Sequence, residues 1–125
     1  MAKILIVDDS QTLRDDLRRT LVGAGHVVVE ADQGLAGLAR LGEHPDVQLI
    51  LSDVNMPEMD GITMCEKIKE RKLSSVPILM LTTEASPDLK NRAKEAGVRA
   101  WVTKPYIPAK LLAGVDKLLT LTPTK

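Results

Sequence analysis

Five polar residues stand where short apolar runs stop. Asp8 and Asp9 follow Ile4-Leu5-Ile6-Val7, Asp53 follows Leu49-Ile50-Leu51-Ser52, Thr82 follows Ile78-Leu79-Met80-Leu81, and Lys104 follows Ala100-Trp101-Val102-Thr103. If each run is a strand of one parallel sheet, these carboxyl ends share an edge, where open α/β sheets bind their ligands. The pattern predicts three carboxylates, a hydroxyl and an ammonium in one crevice. Neighbouring strands lie about 4.8 Å apart. If the first and third runs are neighbours, Asp8, Asp9 and Asp53 converge, and carboxylates that close repel until one takes up a proton. A hard dication such as Mg²⁺ relieves the conflict, and it takes one or two carboxylates together with phosphate oxygens and water. An aspartate can also accept a phosphoryl group as an acyl phosphate. Such transfer needs in-line positioning and charge neutralisation more than acid–base chemistry. Asp53 is then the candidate nucleophile, Lys104 a neutralising charge and Thr82 a donor to a phosphoryl oxygen.

Taken singly, each residue has a plainer explanation. Asp8 and Asp9 suit the first turn of a helix, Thr82 suits a strand end, and Lys104 suits a solvated surface. None of these explains why all of them end strands.

The elements that must position this set are legible as alternating patterns. The apolar runs are Ile4–Val7, Val27–Val29, Val47–Leu51, Ile78–Leu81 and Ala100–Val102. Most are continuous, as in strands covered on both faces. Between them apolar residues take helical spacing: Leu13, Leu17 and Leu21; Leu35, Leu38 and Leu41; Met64, Cys65 and Ile68; Leu89, Ala93 and Ala96; and Leu111, Leu112, Val115 and Leu118. Gly23 and Gly25 stop the first helix, and Gly34, Gly37 and Gly42 weaken the second. Asp60 suits the cap of the third, after a turn-rich loop begun at Pro57. Ser86-Pro87 opens the fourth and Gly97 closes it. Five βα units with right-handed crossovers make an α/β, doubly wound parallel sheet. Arg14, Asp15, Arg18 and Arg19 fall off the apolar stripe of the first helix. Asp15, Asp16, Arg18 and Arg19 read as a solvated face.

A chain of 125 residues with no internal linker is expected to form one domain, and the few residues after Leu119 suggest no output domain. Zero net charge gives no general attraction to nucleic acid. Cys65 is the single cysteine, so no disulfide closes within the chain, and its spacing with Ile62 and Ile68 suggests a buried thiol. No leader or membrane-spanning run is evident, and a cytoplasmic location is expected. His26, in a Gly-bounded turn, and His44, before Pro45, read as surface histidines rather than phosphoryl carriers.

The motifs Ile6-Val7-Asp8-Asp9-Ser10, Ser52-Asp53-Val54-Asn55-Met56-Pro57-Glu58-Met59-Asp60-Gly61, Leu81-Thr82 and Thr103-Lys104-Pro105 together resemble the bacterial response-regulator receiver domain, the CheY-like family, over essentially all of residues 1–125. The resemblance implies a flavodoxin-like (βα)5 fold with strand order 2-1-3-4-5. It implies that Asp53 accepts a phosphoryl group from a histidine kinase or phosphotransfer protein. Mg²⁺, or Mn²⁺ in its place, would be held by Asp8, Asp9, Asp53 and the Asn55 backbone carbonyl. Thr82 and Lys104 would contact the phosphoryl group, and the Lys104–Pro105 bond would be cis. Such a protein is a signalling phosphoacceptor, not an enzyme acting on a separate substrate, and a monomer is expected.

The same resemblance points to residues that tune the site. Thr82 would shift toward the phosphate and an aromatic would turn inward. That aromatic is Trp101, where Tyr or Phe is usual. It reads either as the switch or as a static packing residue. Thr83 stands where a smaller residue is usual and could slow small donors. Asn55 and Glu84 resemble the chemotaxis regulators and suggest fast hydrolysis. Lys90, Lys94, Trp101, Lys110 and Lys117 make a locally basic face suited to an acidic target, or simply a solvated lysine surface. Within this reading, a motility switch and a phosphorelay intermediate passing phosphate onward to a histidine are both open.

Other classes fit less well. An Mg²⁺-dependent phosphatase would need an acid where Asn55 stands. A flavodoxin-like cofactor binder would meet Asp8 and Asp9 where its phosphate belongs. A DNA-binding regulator reduced to its receiver is the remaining alternative.

Overall fold

The structure is a computed structural model that describes residues 2–83 and 86–121, the side chain of the last excepted. Strands and helices alternate throughout: β1 (Lys3–Val7), α1 (Gln11–Gly23), β2 (Val27–Ala31), α2 (Gly34–Glu43), β3 (Leu49–Ser52), α3 (Gly61–Glu70), β4 (Ile78–Thr82), α4 (Pro87–Glu95), β5 (Val98–Thr103) and α5 (Pro108–Leu121). The strands form one parallel sheet in the order β2-β1-β3-β4-β5. The fold class is the one the sequence pattern predicts, and the strand order is the one the family resemblance implies.

Continuous apolar runs follow from the two covered faces. Along β1, Leu5 and Val7 join a core layer under α2, α3 and α4, while Ile4 and Ile6 join a second layer under α1 and α5. Successive side chains of a strand point to opposite faces, so central strands need apolar residues at every position. The edge strands are less covered, which admits Glu30 in β2 and Arg99 in β5. Helix starts are set by local chemistry. The Ser10, Asp60 and Ser86 side chains accept from the N–H groups of Leu13, Thr63 and Leu89, satisfying donors that the helix leaves unpaired.

Several sequence readings need correction. The third run does not begin its strand at Val47: Val47 closes a turn onto the His44 carbonyl, and pairing starts at Leu49. Arg14 does not fall off the apolar stripe of α1. It is 8% exposed, because residues 14, 17 and 21 share the inner face with Leu17 and Leu21. His26 is not a surface histidine. Its side chain is 8% exposed, and Nδ1 accepts from the Ala2 N–H at 3.2 Å. Leu35 is exposed, and α2 packs instead through Gly34 and Gly37, where a Cβ would meet Met59 and Met64 at 2.8 and 2.7 Å. The α2 glycines therefore allow close packing on α3 and its preceding loop. Cys65 is buried as predicted. Among the described residues no helix is long and apolar enough to cross a membrane.

Candidate functional site

The sheet register builds the site. Val7 pairs with Ser52 as the last paired residues of β1 and β3, so Asp8 and Asp53 are the first residues past that pair. The Asp53 N–H donates to the Val7 carbonyl at 3.0 Å, and the Asp8 N–H to the Ala31 carbonyl at 3.1 Å. Both carboxylates are buried, Asp9 is exposed, and one carboxylate oxygen from each of the three lies within 4.8 Å of the others. On the other side, Thr82 pairs with Thr103, and the Lys104 N–H donates to the Thr82 carbonyl at 2.9 Å. That bond carries Lys104 over the strand ends. Its Nζ donates to Asp8 Oδ2 at 3.0 Å and to Asp53 Oδ2 at 3.1 Å. The remaining oxygens are also held: Asp8 Oδ1 accepts from the Ser10 N–H at 2.9 Å, and Asp53 Oδ1 from the Val54 N–H at 2.7 Å.

Charge is unevenly balanced. Burial raises the Asp8 pKa above the ordinary carboxylate value, and the Ser10 N–H and Lys104 offset only part of this. Burial alone would lower the Lys104 pKa, but hydrogen bonding and charge pairing with Asp8 and then Asp53 outweigh it, and the ammonium is held above its usual value. Of the three clustered carboxylates, Asp8 and Asp53 pair with the Lys104 ammonium, and Asp9 adds a further negative charge beside them. All the ligand atoms on offer are hard oxygens, the set that suits Mg²⁺ or Mn²⁺ and disfavours soft metals. The donor set fits a hard dication.

The other predicted residues fall around this centre. Thr82 is fully buried at the end of β4, Thr83 is exposed just beyond it, and Asn55 is exposed two residues after Asp53. The Lys104–Pro105 bond is cis. Glu84 lies outside the described residues. Trp101 is half-buried on β5, with Lys90 Nζ 5.8 Å from its ring centroid. Lys90, Lys94 and Trp101 border a shallow groove between α4 and β5, and Lys110 and Lys117 are exposed on α5.

Sequence reading missed two supports. Gly61 lies so close to Asp53 that a Cβ would meet its carbonyl oxygen at 1.9 Å. Arg14 Nη1 donates to the Asp8 carbonyl at 2.6 Å. The spacing of Arg14 with Leu17 and Leu21 was the available signal for the second.

Fold and site together define an open α/β domain whose acidic crevice sits between β1 and β3, where strand order reverses. The family model for the response regulator receiver domain matches residues 4–116, and the chain belongs to that family. It is similar to the chemotaxis protein CheY homolog of Campylobacter jejuni, with 37% identity over 119 residues, 94% of this chain and 92% of that one. Chemotaxis protein CheY1 of Helicobacter pylori is 34% identical over 119 residues, 94% of this chain and 96% of that one. Among solved structures, chemotaxis protein CheY4 of Vibrio cholerae matches with a TM-score of 0.89 and 39% identity, over 94% of this chain and 98% of that one. The protein is a CheY-like response-regulator receiver.

Proposed function

We propose that this receiver is a phosphorylation switch in which Asp53 accepts a phosphoryl group from a phosphohistidine on a histidine kinase or phosphotransfer protein. One Asp53 oxygen attacks phosphorus in line, the P–N bond breaks, and the imidazole leaves with the electron pair and takes a proton from solvent. The observation that carries this reading is the clasp of Lys104 Nζ on both buried carboxylates beside Asp9. Together with the Val54 N–H on the other oxygen it holds the Asp53 carboxylate, and the ammonium would stabilise the charge gathering on the transferred oxygens.

Asp8, Asp9 and Asp53, with the Asn55 backbone carbonyl, would hold Mg²⁺, or Mn²⁺ in its place, which when bound neutralises phosphoryl charge. Thr82 donates to a phosphoryl oxygen, and its movement couples to Trp101. The resulting change is read on the face of Lys90, Lys94, Trp101, Lys110 and Lys117 by an acidic target. The names of the relatives favour chemotaxis or motility over an onward relay to a histidine. Asn55, Thr83 and the undescribed Glu84 would set how quickly the acyl phosphate forms and hydrolyses. The protein assists its own phosphorylation and dephosphorylation and acts on no separate substrate. The single-domain reading of residues 1–125 belongs to the same proposal.

The test is transfer from a labelled, autophosphorylated histidine kinase. Label should move to the wild type in the presence of Mg²⁺ and not to Asp53→Asn. Equal labelling of both proteins would refute the assignment of Asp53.

A further inference from the structure

Among the described residues Arg14 is the only arginine or lysine that is buried. Its guanidinium is engaged on three sides. Nη1 donates to the Asp8 backbone carbonyl at 2.6 Å, Nη2 to Gln11 Oε1 at 2.6 Å and Nε to Glu30 Oε1 at 3.3 Å. Glu30 also accepts from Arg18 Nη1 at 2.5 Å. Burying a guanidinium is costly even when it is paired, and an aliphatic residue beside Leu17 and Leu21 would avoid that cost.

The arginine secures a peptide plane. The Asp8 amide is fixed on Ala31, its carboxylate on Ser10 and Lys104, and its carbonyl on Arg14. The Asp8–Asp9 peptide is planar and rigid. A strong donor on its carbonyl therefore fixes the direction in which the next residue leaves, and that residue is the exposed Asp9.

We propose that Arg14 is a positioning residue for the cation site, holding the Asp8–Asp9 peptide so that the Asp9 carboxylate joins those of Asp8 and Asp53. This rests on the metal-binding reading above. Charge and position make opposite predictions. As a nearby positive charge, Arg14 would weaken cation binding, and removing it would tighten Mg²⁺. As a positioning group, its removal loosens Mg²⁺. Outer partners of metal ligands typically contribute about 10–100-fold in affinity.

The experiment is calorimetric titration of Mg²⁺ into wild type, Arg14→Met, Arg14→Lys and Glu30→Gln, with thermal melts in chelator. Arg14→Met should bind Mg²⁺ about tenfold more weakly or worse. Arg14→Lys keeps the charge but loses the fork, and should also be weakened. Glu30→Gln, which leaves the Asp8 contact in place, should change affinity by no more than about threefold. In metal-free protein the Asp9 amide resonance should move in Arg14→Met. A folded Arg14→Met that binds Mg²⁺ as well as wild type, or more tightly, overturns the proposal. If Arg14→Met does not fold, Arg14→Lys decides by the same criterion, and if neither folds, Arg14 is a folding residue and the proposal fails. A wild type that binds no Mg²⁺ overturns the metal reading and this proposal together. Loss confined to the Arg14 variants supports both.

Discussion

Gly61→Ala should disturb the site from behind. The added Cβ would stand 1.9 Å from the Asp53 carbonyl oxygen and 2.9 Å from Ser52 Oγ. An ordinary contact begins near 3.4 Å, so the start of α3 and the end of β3 must part by about 1.5 Å, and the tightest contact is with the Asp53 backbone, which cannot rotate away as a side chain could. Overpacking of this kind costs about 1–3 kcal/mol. The shift also strains the Gly61 N–H bond to the Val54 carbonyl, 2.8 Å long, a bond worth about 1 kcal/mol. Alanine returns less than about 1 kcal/mol in helix propensity at this first helical position. The net loss is about 2–3 kcal/mol, a fall in Tm of roughly 8–12 °C for a domain of this size. Misplacing Asp53 by such a distance should slow phosphorylation by about 10–100-fold. Gly42→Ala is the control, because a Cβ there meets nothing within 4 Å. It should melt at or a few degrees above wild type. Thermal melts of the three proteins decide the matter: Gly61→Ala and Gly42→Ala melting within 2 °C of each other would refute the reasoning (~2 °C corresponds to about 0.5 kcal/mol).

Lys72 ends α3 at φ 54°, with the Leu73 N–H bonded to the Ile68 carbonyl at 3.0 Å, so Lys72→Gly should stabilise by about 1 kcal/mol; a denaturant midpoint that does not rise counts against this. Burial raises the folded Asp8 pKa above 3.8, so the native state binds the proton more tightly. The resulting destabilisation is absent below pH 3.8 and complete above the raised folded pKa, so in chelator the wild type should lose stability relative to Asp8→Asn as pH rises through that window. Asp8→Asn should lack this dependence and be the more stable protein at neutral pH; parallel pH profiles would contradict it. Burial pushes the Cys65 thiol up from 9.0 to about 12, which leaves about 1000-fold less thiolate near neutral pH, so thiol reagents should label it at least about 100-fold more slowly in native than in denatured protein, and equal rates would show an accessible thiol.

What could be read in advance depended on how local its cause was. The Ser10, Asp60 and Ser86 ends of helices are settled within a few residues, and the apolar runs mark every strand. Asp8, Asp53, Thr82 and Lys104 were legible because each is the residue at or just past a strand end, and a parallel sheet brings such ends together. Arg14 and His26 were misread because their partners, the Asp8 carbonyl and the Ala2 amide, are backbone groups that no residue type announces. Gly34 and Gly37 were read as weakening α2, since the Met59 and Met64 side chains they admit come from a distant segment. Val47 belongs to the same apolar run as Leu49, and only the turn onto His44 separates them.

The most direct test of the account is intact mass after incubation with a small acyl-phosphate donor, with and without Mg²⁺, for wild type and Asp53→Asn, followed over time. A single phosphoryl adduct that requires Mg²⁺, is absent from Asp53→Asn and decays within minutes is the predicted result. An adduct of equal yield in Asp53→Asn, or one that forms equally well in chelator, would contradict it.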